Sequence, residues 1–380
     1  MVGAYGENNF AGVVHVFSHA TGAWLPQGSV KAPNSEEWDR FGVAVTLSAD
    51  GNTLVVGASN EDSDAKGVYD ALAVPDNNSA PDSGAVYVFG RATNAEAFDS
   101  QAYIKAPNRG NADWFGVAVT LSADGNTLVV GARSESSAAQ GVSITPVEPD
   151  DNGEPGAGAV YVYGRASNVD VFASQAYVKA PNSAKGDYFS RAVALSADGN
   201  TLVVGATSKD NNAKGVYDAP AAVPDNNSAP DAGAVYVYGR ASNAEAFAYQ
   251  AYIKAPNSGV FDQFGVAVTL SADGNTLVVG AMYEDSAAQG VSITPAEPDD
   301  NRKLSAGAVY VYGRASNIDA YTPQAYVKAP NSGASDLFGY AVALSADGNT
   351  LVVGAYHEES SDPVDPDDNG ASSAGAVYLY

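Results

Sequence analysis

The chain has 380 residues with 39 Gly, 22 Tyr and 45% hydrophobic residues, enough to bury a core made of strands and turns rather than helices. Its formal net charge of −25 makes nucleic acid and anionic membrane surfaces poor partners, because like charges repel. It has no cysteine, so disulfides and thiol chemistry are excluded, and no apolar run approaches the roughly 20 residues that span a bilayer.

Met1-Val2-Gly3-Ala4-Tyr5 matches Val352-Val353-Gly354-Ala355-Tyr356, so the chain is expected to begin inside a strand. No basic, apolar, small-residue leader is present. The expectation is a piece of a longer chain whose targeting segment lies upstream. After a partial repeat over 1–40, Phe41-Gly42-Val43-Ala44-Val45-Thr46-Leu47-Ser48-Ala49-Asp50-Gly51-Asn52-Thr53-Leu54-Val55-Val56-Gly57-Ala58 returns nearly unchanged from Phe115, Phe189, Phe264 and Phe338. A fixed period of about 74 residues marks a repeat architecture. Each copy reads as a hairpin. Alternating residues form strand A, the turn residues Asp50-Gly51 tolerate positive φ, and the apolar run from Thr53 to Ala58 forms strand B, buried on both sides.

Strand C, Gly-Ala-Val-Tyr-Val-Tyr/Phe, begins at Gly84, Gly158, Gly233, Gly307 and Gly375, with a divergent copy at Gly12. Strand D begins at Gln101, Gln175, Gln250 and Gln324, and Ala-Pro-Asn ends it because proline cannot continue a ladder. Every D strand carries a lysine (Lys31, Lys105, Lys179, Lys254, Lys328), expected to be a charge that blunts an outer edge. The tyrosines of strand C are expected to pack between neighbouring repeats. Four strands per repeat with short links describe one blade of a β-propeller. The long link, about 25 residues, lies between B and C. It comes in two alternating versions, Lys66-Gly67-Val68-Tyr69-Asp70 and Gln140-Gly141-Val142-Ser143-Ile144, which recur at Lys214 and Gln289.

Phe-Gly opening A, Gly-Ala closing B and Gly-x-Val-Tyr-Val-Tyr in C resemble the FG-GAP repeat family, which includes the propeller of integrin α subunits and many bacterial surface proteins. The resemblance implies an all-β propeller filling 1–380 as a single domain, with five to six blades represented and a six- or seven-bladed parent. It also implies an extracellular, secreted or cell-surface binding role, often with calcium. Two departures stand out. The turn Ser48–Asn52 carries one carboxylate, too few for an ion that wants six to eight oxygens. The third full copy reads Phe189-Ser190-Arg191, so either the backbone differs there or the glycine is not essential. At the ends, the strand near Val30 could close a five-bladed ring with the repeat from Phe338. That would leave Val2–Ala4 and Val13–Phe17 surplus, so a longer parent, or completion and self-association through a neighbouring chain, is the preferred expectation.

An aspartate stands two residues before each repeat phenylalanine (Asp39, Asp113, Asp187, Asp262, Asp336) and is expected to accept backbone N–H bonds at the entry to A. The B–C loops hold the candidate metal ligands: Glu61, Asp62, Asp64, Asp76 and Asp82, then Asp150 and Asp151, then Asp210, Asp225 and Asp231, then Asp285, Asp299 and Asp300, and finally Asp365, Asp367 and Asp368. Hard oxygen ligands on loops suit Ca²⁺, while a solvated acidic surface is the equal alternative. The three histidines occupy no repeated position, and no nucleophile elbow, zinc helix or phosphate loop occurs. The expectation is a non-catalytic module that binds an extracellular protein or glycan through its loops. A self-assembling structural repeat is the alternative, and a propeller hydrolase a second one.

Overall fold

A computed structural model describes every residue except 21, 76, 145–151, 220, 294–300, 360–369 and 372. The chain divides into two compact units, Met1–Ser190 with Asn243–Ala246, and Arg191–Ser242 with Phe247–Tyr380. The described residues form six antiparallel sheets, each of propeller-blade type, so the fold is all-β. In sheet 2, strands A (Phe41–Leu47), B (Thr53–Ala58), C (Ala85–Gly90) and D (Asp99–Lys105) lie side by side in chain order. Sheets 3, 4 and 5 repeat the arrangement.

The expected four-stranded repeat is short by one strand. The B–C loop folds back and places a further strand, E, outside D, making each of these four sheets five-stranded. In sheets 2 and 4, E spans Gly67–Asp70 and Gly215–Asp218; in sheets 3 and 5 it shrinks to Val142–Ser143 and Val291–Ser292. The alternation of loop sequences is therefore an alternation of edge-strand length. In sheet 2 the pairing runs Gly67 opposite Lys105 and Val68 opposite Ile104.

The terminal sheets have three strands each. Val2–Ala4, Val13–Ala20 and Ala23–Val30 form sheet 1, which has B, C and D; Phe338–Leu344, Leu351–Ala355 and Ala376–Leu379 form sheet 6, which has A, B and C. The strands that a five-bladed ring would leave over thus belong to a sheet of their own, and Val30 pairs with Val14.

The repeat glycines exist because sheets meet backbone to backbone. A Cβ on Gly57 would lie 1.9 Å from the carbonyl oxygen of Gly116, and one on Gly205 2.1 Å from that of Gly265. Gly42 and Gly116 themselves take φ of +90° and +88°, which bulges strand A toward its neighbour. Ser190 holds the same shape with φ of 80°, so the backbone does not change where the glycine is lost. The serine bears the strain, with its hydroxyl buried and without a hydrogen-bond partner among the described residues. Ser190→Gly is expected to stabilise the fold by about 1–2 kcal/mol, read from urea unfolding, because the left-handed penalty is removed.

The core alternates along B and C. Leu54, Val55, Val56, Val86 and Val88 are fully buried, and Phe41 meets Tyr87 edge-on at 5.4 Å.

Candidate functional site

Pairing of Phe41 and Ala85 with Ala58 places the start of A, the end of B and the start of C at one end of the sheet, where the B–C loop leaves. Thr53 opposite Gly90 puts the A–B and C–D turns at the other end. The turn end is closed by its own bonds. Asp50 accepts from Ser48 Oγ at 2.5 Å and from Asn52 N at 2.9 Å, so its carboxylate organises the turn and its pKa is lowered by those bonds, that from Ser48 foremost. Arg91 Nε donates to Gly51 O at 3.0 Å with its guanidinium 4.4 Å above the Phe98 ring. Arg165 reaches back to Thr53 Oγ1 in the preceding sheet at 2.8 Å, and Arg314 does the same to Thr201 at 2.7 Å.

The loop end carries a buried ionic cluster. Four of the D-strand lysines are not edge charges: Lys105, Lys179, Lys254 and Lys328 are 0% exposed, because strand E covers D, whereas Lys31, after the outer strand of sheet 1, is exposed. Lys105 Nζ bonds Glu61 Oε2 at 2.7 Å, Lys179 bonds Glu135 at 2.8 Å and Lys328 bonds Glu284 at 2.7 Å. Burial pushes the Lys105 pKa down, and Glu61 opposes that shift. Tyr103 OH donates to the other Glu61 oxygen at 2.7 Å. An asparagine from the preceding D-strand exit joins in: Asn108 donates to Glu135 at 3.1 Å and accepts from Tyr161 OH at 2.6 Å. The signal for this cluster was in the sequence, as a glutamate at a fixed place after B (Glu61, Glu135, Glu284) matched to a lysine in the D strand of the same sheet. The fourth sheet breaks the pattern with Lys209 in the glutamate's place. Lys209 bonds Asp225 at 3.3 Å, and Lys254 donates to Gly233 O at 2.5 Å.

The repeated aspartates act as expected at the entry to A. Asp39 accepts from Glu36 N at 2.8 Å, Asp113 from Gly110 N at 2.5 Å, Asp187 from Ala184 N at 2.9 Å, Asp262 from Gly259 N at 2.7 Å and Asp336 from Gly333 N at 2.6 Å. Burial raises Asp39 and Asp262 from 3.8 to about 7, with smaller upward contributions from Glu61 and Asp62 beside Asp39, and Glu284 and Asp285 beside Asp262. The folded state therefore holds protons that the unfolded state releases. This stabilisation is complete below about pH 4 and is lost as pH rises through about 7. The melting midpoint is expected to fall between pH 5 and 8.5. Asp262→Asn should flatten that slope and raise the midpoint at pH 8.5; a steeper slope in the variant would refute the assignment.

The candidate metal ligands fall into four groups. Glu61 belongs to the lysine cluster. Asp62, Asp210 and Asp285 close the base of their loops, accepting from Asp82 N at 2.7 Å, Asp231 N at 2.9 Å and Ser305 N at 2.6 Å. Asp82 accepts from Asn60 at 2.6 Å, Asp225 pairs with Lys209, and the Asp64 carbonyl accepts from Arg109. Asp76, Asp150, Asp151, Asp299, Asp300, Asp365, Asp367 and Asp368 lie outside the described residues. Among the described residues, no group of three or more His, Asp or Glu side chains is placed to hold an ion.

These joints and loops are those of a blade-repeat protein. The FG-GAP repeat family matches residues 172–238 and 321–380, each match running from strand D of one sheet through A, B and C of the next. These two segments carry FG-GAP repeats. No curated protein matches it. Among solved structures, it is similar to a candidate 6-phosphogluconolactonase from Bacteroides uniformis, at 10% identity and TM-score 0.42 over 93% of this chain and 87% of that one. A second, from Bacteroides fragilis, matches at 12% identity and TM-score 0.42 over 93% and 86%.

Proposed function

We propose that the chain is a non-catalytic binding module that recognises an extracellular protein or glycan through its B–C loops. One observation carries this reading. The long loops are held at their bases, by an aspartate–backbone bond in sheets 2, 4 and 5 and by a Glu–Lys pair in sheets 2, 3 and 5, while their sequence alternates between two versions from sheet to sheet. A fixed base that presents loops of differing sequence suits recognition, because it orders the loop base before binding. The extracellular placement rests on the FG-GAP character of the repeats. The test is an array of extracellular-matrix proteins and glycans, probed with the chain and with a variant whose residues 62–82 are replaced by a short Gly-Ser link. Capture of a ligand class that the shortened variant loses supports the reading. Equal capture by both overturns it.

We further propose that calcium steadies the acidic loops, since the carboxylates of each loop repel one another without a cation. A hundredfold excess of calcium over its dissociation constant would stabilise the folded chain by roughly 2.7 kcal/mol. The expected result is a higher melting midpoint in calcium than in chelator at fixed ionic strength. An unchanged midpoint leaves the loops as solvated acidic surface.

A further inference from the structure

Residues that recur in every sheet build the frame, and a residue that departs from the repeat is free of that constraint. In strand D, the residue before the repeated glutamine is Ser100 in sheet 2, Ser174 in sheet 3 and Pro323 in sheet 5, but Tyr249 in sheet 4. Strand E of sheet 4 also runs far enough toward the turn end to bring a carboxylate there. Asp218 pairs with Ala251 of strand D, whereas E of sheets 3 and 5 stops at Ser143 and Ser292. Burial first, and Asp218 second, hold the Tyr249 phenol above its ordinary pKa, so phenol and carboxylate stand close together.

Both line a cavity of about 340 Å³ between the outer strands of sheet 4 and the C–D turn of sheet 5, wholly inside the second unit. That volume lies at the low end of the roughly 300–1,000 Å³ of small-molecule sites. Val237 and Ala251, both buried, give the cavity an apolar base, and Gln250, Arg314 and Asp319 belong to its polar lining. These three are already engaged. Gln250 Oε1 accepts from Arg314 at 3.3 Å, its Nε2 donates to Asn317 O at 3.1 Å, and Asp319 accepts from Ser316 Oγ at 2.7 Å. Two groups keep bonding capacity. The Tyr249 hydroxyl has Tyr217 O at 3.5 Å, too long for a good O–H···O bond. The Asp218 carboxylate has neither hydrogen bond nor ion pair among the described residues, and loss of water contact raises its pKa.

We propose that this cavity at the turn end of sheet 4 binds a neutral sugar residue, with Asp218 and Tyr249 as its recognition groups. Charge selects the ligand class. Arg314 on the same lining repels an ammonium or guanidinium group, while Asp218 and Asp319 repel phosphate, sulfate and carboxylate. A neutral polyhydroxylated ring meets neither penalty. Its hydroxyls donate to the Asp218 carboxylate and exchange a bond with the Tyr249 hydroxyl, which satisfies both groups at once. Its C–H face covers the Tyr249 ring, an apolar surface with a polar tip that loses little freedom on binding. The inference goes beyond recognition by the B–C loop ends and does not rest on it, since Tyr249 stands at the opposite end of the sheet.

The test is saturation-transfer NMR on the full chain with the methyl glycosides of glucose, galactose and mannose as probes. Saturable transfer to the ring protons of at least one probe is expected. Tyr249→Ser should abolish it without moving the melting midpoint, because sheets 2 and 3 fold with serine at that place. Tyr249→Phe keeps the ring and should weaken binding about threefold, whereas Asp218→Asn, which removes a charged acceptor, should weaken it about tenfold. The chain with residues 62–82 replaced should bind the probe as the parent does, so that failure of the loop reading and failure of this one are told apart. No transfer to any of the three probes, or equal transfer with the Tyr249→Ser chain, overturns the proposal. So does calorimetric binding of spermidine that Asp218→Asn and Tyr249→Ser abolish while no sugar binds, because the ligand would then be a cation.

Discussion

Glu135→Ala is expected to destabilise the folded chain by about 3–5 kcal/mol, because it leaves Lys179 buried without the carboxylate that it faces. Lys179 is 0% exposed and Glu135 2%, and they bond at 2.8 Å, so neither charge can be rehydrated in place. The loss has a second part. Asn108 and Ser137 N, which donate to Glu135 at 3.1 Å each, lose that acceptor together. Urea unfolding of the single variant reads the cost. The pair Glu135→Leu with Lys179→Met should recover most of it, since an apolar pair of similar volume often matches a buried ion pair. A double variant no better than the single one would locate the loss in the hydrogen bonds instead.

Lys209→Glu is expected to move stability the other way, by about 3 kcal/mol. In sheets 2, 3 and 5 a glutamate answers the D-strand lysine, but sheet 4 buries Lys209 and Lys254 at 0% exposure each. Asp225 is 54% exposed and lies 3.3 Å from Lys209, so that pair is half in water, and Lys254 bonds a neutral carbonyl. A glutamate at 209 would rebuild the cluster on Lys254 and release Asp225 to solvent at little cost. The check is the unfolding midpoint of Lys209→Glu against the same change combined with Lys254→Met, which should erase the gain. A single variant no more stable than the parent would mean that the present contacts fully compensate the second cation.

The sequence by itself determined the repeat, its period, the A–B–C–D order and the residues of the joints. Each of these rests on local rules that act within a few residues. Alternation sets the strands, Asp50-Gly51 sets the turn, Pro107 stops D, and the repeated Phe-Gly and Gly-Ala mark places where no side chain fits. The aspartate at the entry to A was legible for the same reason, since its partner lies three residues away. Only the tertiary structure decided the fifth strand and the buried Glu–Lys clusters. Glu61 and Lys105 are separated by 44 residues, and nothing local distinguishes a lysine on an outer edge from one that a returning loop covers. A loop residue such as Val68 becomes an edge strand only because Ile104 is there to pair with it. Ser190 shows the limit most plainly: its sequence says the glycine is gone, and only the close approach of Gly131, where a Cβ would lie 2.9 Å from that of Ser190, makes the backbone keep the glycine's shape.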